Sequence, residues 1–81
     1  MFRMDNENLK LKLGKYCKNF RINELLLSLT EFSNNNNVSL KNVWAFENGK
    51  SSNLKYLFYY YNSCKGFQKD NFITGVFSLW L

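Results

Sequence analysis

Apolar residues recur three or four positions apart in several stretches of the chain, which is the spacing of one face of an α-helix. The first stretch predicts a helix over about residues 7–22. Its lysines fall on the opposite arc, where we expect a solvated face. The apolar face holds Leu9, Leu13, Tyr16, Cys17 and Phe20, and the basic arc holds Lys10, Lys12, Lys15 and Lys18.

A serine-led segment then predicts a second, shorter helix. Ser28 and Glu31 match a capping box, in which the serine oxygen accepts one backbone N–H and the glutamate carboxylate accepts another. The box predicts a helix over about residues 28–36, with Phe32 directed inward. We interpret the asparagine run at 34–37 as a turn, not a low-complexity tract, because capping signals flank it on both sides.

A third helix is predicted over about residues 39–48. Ser39 is expected to cap its start, and Gly49 to end it, because glycine tolerates the left-handed conformation. On helical spacing, one side holds Leu40, Val43, Phe46 and Glu47, and the other flanks hold Lys41, Asn42, Trp44, Ala45 and Asn48.

The fourth helix is predicted over about residues 53–63. Its inward stripe is assigned to Leu54, Leu57, Phe58, Tyr61 and Cys64. That stripe leaves Tyr56, Tyr59 and Tyr60 exposed, and we interpret them as a protein interface because tyrosine is large, amphipathic and common in interfaces. Contact with bases or sugars, and partly exposed packing against the first helix, are the alternative interpretations.

A last helix is predicted over about residues 70–81, with Asp70 as its cap. Its apolar residues cover more of the circumference than one side of a small domain needs, so we expect a second copy of the chain to cover part of it. A helix lying on a membrane surface is disfavoured because the segment has no basic face. The dimer contacts are assigned to Phe72, Val76, Phe77 and Trp80.

Composition agrees with a single all-α domain spanning residues 1–81. The chain is 46% hydrophobic and 19% aromatic, which is too apolar for a disordered protein, while thirteen asparagines and many lysines suggest an AT-rich genome. A domain of this size buries only about 60% of its unfolded surface. Oligomerisation would therefore add stability.

Charge and reactive residues narrow the function. The net charge of +5 and the pI near 9.4 favour a polyanionic partner. The absence of histidine and the presence of only two cysteines leave little for an enzyme, a metal site or a cofactor, and we expect none of these. Cys17 and Cys64 are expected to be buried free thiols. We find no signal peptide or membrane-spanning segment, so the expected location is the cytoplasm of a bacterial cell or phage-infected host.

One set of residues carries a family resemblance: Leu13-Gly14-Lys15-Tyr16, Phe20-Arg21, Ser28 to Phe32, Val38-Ser39, Val43 and Phe46 to Lys50. Together they resemble the Cro and phage-repressor type of helix-turn-helix, also called the XRE family, over roughly residues 9–64. The most specific piece is the Glu-Asn-Gly-Lys stop after the third helix. The resemblance implies a compact five-helix lambda-repressor-like bundle, an Arg21–Glu47 ion pair and a last helix at a dimer seam.

The chain departs from the family pattern at Leu40 and Trp44 in the third helix, where polar residues are commoner, and at three positions in the second helix and the turn after it. Asn37 stands in the turn where the family usually has glycine, and asparagine is the next-best residue at positive φ. Ser33 replaces a small alanine, and Leu29 replaces a glutamine that commonly touches phosphate.

The resemblance also implies DNA contacts. Phosphate contacts are assigned to Ser39, Asn48, Lys50 and Ser51. On the exposed side of the third helix, Lys41 is expected to donate to guanine, Asn42 to pair with adenine, and Trp44 or Ala45 to meet a thymine methyl. For Trp44, packing under a loop or in an interface is an equally weighted alternative.

Two functions follow as hypotheses. The first is a sequence-specific double-stranded DNA-binding transcriptional regulator, a small Cro-like repressor of a phage or mobile element acting as a homodimer. The second is a protein-binding inhibitor or antirepressor built on a helix-turn-helix scaffold, which Leu29, Leu40 and Trp44 favour. RNA binding is disfavoured because no strand pattern provides the aromatic sheet that RNA modules use.

Overall fold

The computed structural model describes residues 7–80, and these form five α-helices and no strand. The helices are α1 (Glu7–Asn23), α2 (Leu29–Asn35), α3 (Leu40–Glu47), α4 (Tyr56–Ser63) and α5 (Gln68–Ser78). They pack around one apolar core, which confirms the predicted all-α bundle. The core residues are Leu13, Cys17, Phe20, Phe32, Val43, Phe46, Tyr56, Tyr60, Cys64, Phe72 and Val76.

The last two helices begin at residues other than those predicted. α4 begins at Tyr56, because Asn53 Oδ1 accepts a hydrogen bond from the backbone N–H of Lys55 at 3.1 Å and holds a separate turn. α5 begins at Gln68, so Asp70 lies in its first turn and is not its N-cap. α5 ends at Ser78, so the prediction that the helix continues to Leu81 is wrong.

The start of α2 is the predicted capping box. Ser28 Oγ accepts a hydrogen bond from the N–H of Glu31 at 3.0 Å, and Glu31 Oε1 accepts one from the N–H of Ser28 at 2.9 Å. These hydrogen bonds lower the pKa of Glu31. Ser39 occupies the expected N-cap position of α3, but its side chain makes no capping hydrogen bond, which corrects that part of the prediction.

Two residues in the left-handed region shape the helix ends, as predicted. Asn37 has φ 53° in the turn between α2 and α3, and the next N–H, that of Val38, donates to the carbonyl of Ser33 at 3.0 Å. Gly49 has φ 73° after α3. The side chain of Leu11 in α1 occupies the space that a Cβ at Gly49 would need, so α1 lies against the end of α3.

The predicted ion pair between Arg21 and Glu47 is buried between α1 and α3. Arg21 Nε donates to Glu47 Oε2 at 2.9 Å, and Nη2 donates to Oε1 at 3.0 Å. A third guanidinium nitrogen, Nη1, donates to the carbonyl of Leu27 at 2.9 Å. The Tyr60 hydroxyl donates to Glu47 Oε2 at 2.8 Å, a contact that the sequence did not predict. These bonds satisfy both buried charges and join α1, α3 and α4.

The predicted inward stripe of α4 is confirmed at Cys64, which is buried, but it is wrong at Phe58 and omits Tyr56 and Tyr60. Tyr60 is fully buried and Tyr56 is buried, whereas Phe58, assigned to the core, is 66% exposed. Tyr60 enters the core because its hydroxyl has a carboxylate partner there and its ring packs on Phe32, with the ring centroids 4.5 Å apart. Tyr59 is only partly exposed, so three exposed tyrosines do not line this helix.

The dimer contacts assigned to α5 need a similar correction. Phe72 is fully buried and Val76 nearly so, which places both in the core and not on an exposed seam. The reason is aromatic packing, since the ring centroid of Phe72 lies 5.0 Å from that of Phe20 and 5.7 Å from that of Tyr16. The Tyr16 hydroxyl also donates to the carbonyl of Phe72 at 3.1 Å. Of the four assigned residues, Phe77 is exposed and Trp80 partly buried.

Gly14 allows α1 to approach the last turn of α3. A Cβ at this position would lie 2.5 Å from the carbonyl oxygen of Phe46 and 2.6 Å from that of Glu47. Both atoms belong to the backbone and cannot move aside as a flexible side chain would. The glycine therefore fixes how closely α1 and α3 approach.

We expect Glu47→Ala to lower the free energy of unfolding by about 3–5 kcal/mol, because it leaves the guanidinium of Arg21 buried without its carboxylate. Urea unfolding followed by circular dichroism measures the change. Glu7→Ala is the matched control, because it removes a surface ion pair between Glu7 and Lys10. The Glu7 side chain is 77% exposed, so the loss of this pair should cost below about 1 kcal/mol. Equal stability of both variants would show that the buried pair does not hold the fold.

We expect Gly14→Ala to destabilise the protein by about 1–3 kcal/mol through overpacking against α3. The sign of this change in stability is informative, because replacing glycine by alanine at an open helix position would instead stabilise the protein by up to about 1 kcal/mol. Thermal unfolding of the variant beside the wild type measures it. A raised midpoint would contradict the close approach of the two helices.

We expect stability to fall on the alkaline side. Burial raises the pKa of Tyr16 to about 12, and burial followed by the charge of Glu47 raises the pKa of Tyr60 and of Cys17. Because these pKa values are higher in the folded state, the folded chain keeps protons that the unfolded chain loses. Their contribution is complete below the unfolded thiol pKa of about 8.5 and declines as pH rises through that value and the phenol pKa of about 10. Urea unfolding between these limits should show the decline, and Tyr60→Phe should flatten its upper part. A wild-type profile that stays flat to pH 11 is the contrary result.

Candidate nucleic-acid interface

The inward edge of α3 is fixed in the core. Val43, Phe46 and Glu47 are buried, as the helical spacing predicted. Leu40 was assigned to the same edge but is almost half exposed, because it is the first residue of the helix and does not reach the core cluster. α3 packs mainly on α1 and α2, so its remaining flank faces away from the bundle.

The residues predicted to read bases lie together on that outward flank. Lys41 and Asn42 are exposed, Trp44 is 47% exposed and Ala45 is half-buried. About half of the Trp44 side chain is thus open to solvent and available for contact with a partner.

The predicted phosphate-contacting residues lie at the two ends of α3. Ser39 is exposed at the start, and its hydroxyl is not used as a helix cap. Asn48 and Lys50 are exposed at the other end, although the Asn48 amide already donates to the carbonyl of Trp44 at 2.8 Å. Ser51 is half-buried, and its hydroxyl accepts from the N–H of Asn53 at 3.3 Å. Of these four side chains, those of Ser39 and Lys50 make no hydrogen bond to the described residues that would compete with a phosphate.

Two lysines of α1 extend the basic character of this region. Leu11 and Gly14 pack against the end of α3, and on helical spacing Lys15 and Lys18 flank that side of α1. Both lysines are exposed. The end of α3 therefore has Lys50 on one side and basic α1 residues on the other.

The start of α2 is poorly suited to bind phosphate. The Ser28–Glu31 box already uses the backbone N–H groups of Ser28 and Glu31, and the Glu31 carboxylate is exposed and held charged by its lowered pKa. A negative charge there opposes a phosphate that would otherwise favour a helix N-terminus. Leu29, the first helical residue, adds no polar group.

One exposed residue was not found by the sequence analysis. Leu26, in the loop between α1 and α2, has φ 58° and is 77% exposed. A leucine seldom adopts this conformation, and no glycine or asparagine marked the position. Nothing in the structure explains why leucine is used there.

Reactive groups are scarce in the described part of the chain. Cys17 and Cys64 are buried free thiols, as expected, and the Cys64 thiol donates to the carbonyl of Tyr60 at 3.2 Å. Residues 7–80 hold no group of three or more histidine, cysteine or acidic side chains arranged to bind a metal ion. None of the five helices has the length and apolarity needed to cross a bilayer.

The candidate site is thus the polar and basic outward flank of α3, and the Arg21–Glu47 ion pair fixes the opposite, buried side of that helix. No protein-family model, curated protein or solved structure matches the chain, and a functional interpretation therefore rests on this flank and on the residues that hold it.

Proposed function

We propose that the protein is a sequence-specific, double-stranded DNA-binding transcriptional regulator, a small Cro-like repressor of a phage or mobile element that acts as a homodimer. The observation that carries the proposal is the placement of α3. Its inward edge is locked by a buried ion pair, while Lys41 and Asn42 on the opposite flank remain uncovered. An eight-residue rod exposed in this way fits the major groove, which is wide enough to admit a helix.

Phosphate contacts would supply most of the affinity in this function. Ser39 and Lys50 mark the two ends of α3, and Lys15 and Lys18 lie beside its C-terminal end. Each lysine that neutralises a phosphate releases a counterion, so affinity falls as salt rises. The net charge of +5 adds long-range attraction to the duplex.

Base recognition would fall to the middle of α3. Lys41 can donate to the O6 and N7 acceptors of guanine, Asn42 can form two hydrogen bonds with adenine, and Trp44 or Ala45 can contact a thymine methyl. Two copies related by a twofold axis would place their α3 helices about 34 Å apart and favour a palindromic site.

A second candidate function is a protein-binding inhibitor or antirepressor on the same scaffold. Leu40 and Trp44 favour it, because they lie four residues apart on α3 and both are almost half exposed. An apolar pair of this kind is typical of the centre of a protein interface. In this function Trp44 would carry the binding and Lys41 would matter little.

We expect the full-length protein to select a preferred duplex from a randomised pool and to lose affinity steeply as salt rises. The log–log slope should correspond to several phosphates at about −0.9 per phosphate. Lys41→Ala should relax base preference by about 1–3 kcal/mol, because it removes a base contact. Lys50→Ala should weaken all duplexes alike and reduce the slope by about one phosphate.

Lys65→Ala provides the matched control, because Lys65 is exposed in the segment between α4 and α5, outside this flank. It should bind like the wild type apart from a small change in long-range attraction. Negligible DNA affinity at low salt would refute the regulator and leave the protein-binding function. Wild-type selectivity in both Lys41→Ala and Lys50→Ala would show that another surface contacts DNA.

A further inference from the structure

An open apolar groove runs between α4 and α5. It encloses about 400 Å³, and only apolar and aromatic side chains line it. The buried Phe72 and Val76 form its floor. Leu57 and Tyr61 contribute to the α4 wall, and Ile73 contributes to the α5 wall. The volume lies within the range of about 300–1,000 Å³ that is typical of small-molecule sites.

A cationic side chain lies at one end of this groove. Lys69 is half-buried in the first turn of α5. Helical spacing places it on the same stripe as Phe72 and Ile73, which follow it by three and four residues. Its Nζ lies 5.1 Å from the ring centroid of Tyr61, which lines the groove from α4. The ammonium group is therefore held where the apolar lining ends.

The charge of this ammonium group is not neutralised by a neighbouring carboxylate. Lys69 forms no ion pair with an acidic side chain among residues 7–80. Asp70 is the next residue, but a step of one residue turns its side chain about 100° round the helix axis, away from the stripe that faces the groove. The end of the groove therefore offers a positive charge to a bound anion.

We propose that the groove binds a free carboxylic acid with one linear alkyl chain, a ligand of the fatty-acid class. The alkyl chain would lie on Phe72 and Val76 between the two walls, and the carboxylate would accept a hydrogen bond from the Lys69 ammonium. Burial of the chain supplies affinity in proportion to the apolar area removed from water. The charge-assisted hydrogen bond determines which end of the ligand lies at Lys69.

The length of the α5 wall favours an alkyl chain over a protein segment. Its lining residues run from Phe72 to Val76, a rise of about 6 Å along the helix axis. A helix docked in a groove places its anchors over seven residues, which is a rise of about 10 Å. An alkyl chain is narrower than a helix and needs no such length on both walls. A neutral apolar ligand would fill the groove without using Lys69.

The test is equilibrium dialysis of the full-length protein against decanoate, at concentrations below those at which decanoate forms micelles. Binding should saturate at one molecule per chain. Across a series of shorter carboxylates, each added methylene should strengthen binding about fourfold while the chain still fits the groove. The alcohol of the same length, 1-decanol, should bind about tenfold more weakly, because it has no charge to pair with Lys69.

Two lysine variants test the role of the charge. Lys69→Ala should weaken decanoate binding about tenfold and leave the affinity for 1-decanol unchanged. Lys50→Ala is the matched control, because it removes the same charge from an exposed residue after α3, and α3 does not line the groove. It should bind both ligands like the wild type.

Two tryptophan variants test the groove itself. Ile73→Trp enlarges a side chain of the α5 wall, so it should weaken binding of decanoate and 1-decanol about tenfold or more by filling the space. Thr74→Trp is the matched control, since Thr74 is exposed on the same helix and does not line the groove. Circular dichroism would confirm that all four variants are folded.

Several outcomes would overturn the proposal. They are binding that does not saturate at one molecule per chain, equal affinity for decanoate and 1-decanol, equal effects of Lys69→Ala and Lys50→Ala, and wild-type binding by Ile73→Trp. Binding to anionic lipid vesicles without binding to free decanoate would also overturn it, because the partner would then be a membrane surface.

The inference goes beyond the proposed function and does not rest on it. Decanoate binding by a chain with negligible affinity for duplex DNA would refute the regulator and leave the groove site intact. Duplex binding with a steep salt dependence, but without decanoate binding, would refute the groove site alone.

Discussion

The buried pairing of Arg21 with Glu47 is the constraint on which the rest of the structure depends. α3 has only eight residues, and a helix of that length is not stable alone in water. The Arg21 guanidinium donates two hydrogen bonds to Glu47, the last residue of α3, and the Tyr60 hydroxyl donates a third. Because the pair is buried, its strict geometry determines which flank of α3 faces solvent. The close contact at Gly14 brings α1 near enough for the pairing.

The protein presents two surfaces of opposite character. The outward flank of α3 is polar and basic, with Lys41 and Asn42 near its centre, whereas the groove between α4 and α5 is apolar. Under the proposed function, the basic flank would attract a polyanion, and salt would weaken that attraction by screening it. Tyr60 connects the two surfaces physically, with its hydroxyl on Glu47 and its ring stacked on Phe72 beneath the groove.

Much of the first half of the fold could be predicted from the sequence. The capping box at Ser28, the left-handed Asn37 and the stop at Gly49 are local features, so their residues suffice to place them. The pairing of Arg21 with Glu47 came from the family resemblance. The exposed flank of α3 followed from helical spacing, apart from Leu40, whose position at the helix start left it short of the core.

The second half was predicted less well for a definite physical reason. α4 carries aromatic side chains on every side, so its spacing defines several possible faces and no single inward one. Tyrosine adds to the ambiguity, because it is buried where its hydroxyl finds a partner and exposed where it does not. The assignment of Phe72 and Val76 to a dimer seam failed similarly, since an apolar residue suits a core and an interface equally well.

By itself, the sequence determined where helices form, how most of them start and stop, and that the chain carries a large positive charge. These properties depend on residues within about one helical turn of each other, or on composition alone. Only the tertiary structure decided that Tyr60 is buried against Glu47, that Phe58 stands in solvent, and that α4 and α5 leave a groove between them. Burial is set by which distant residues pack together, and that information is absent from the local spacing of any single helix.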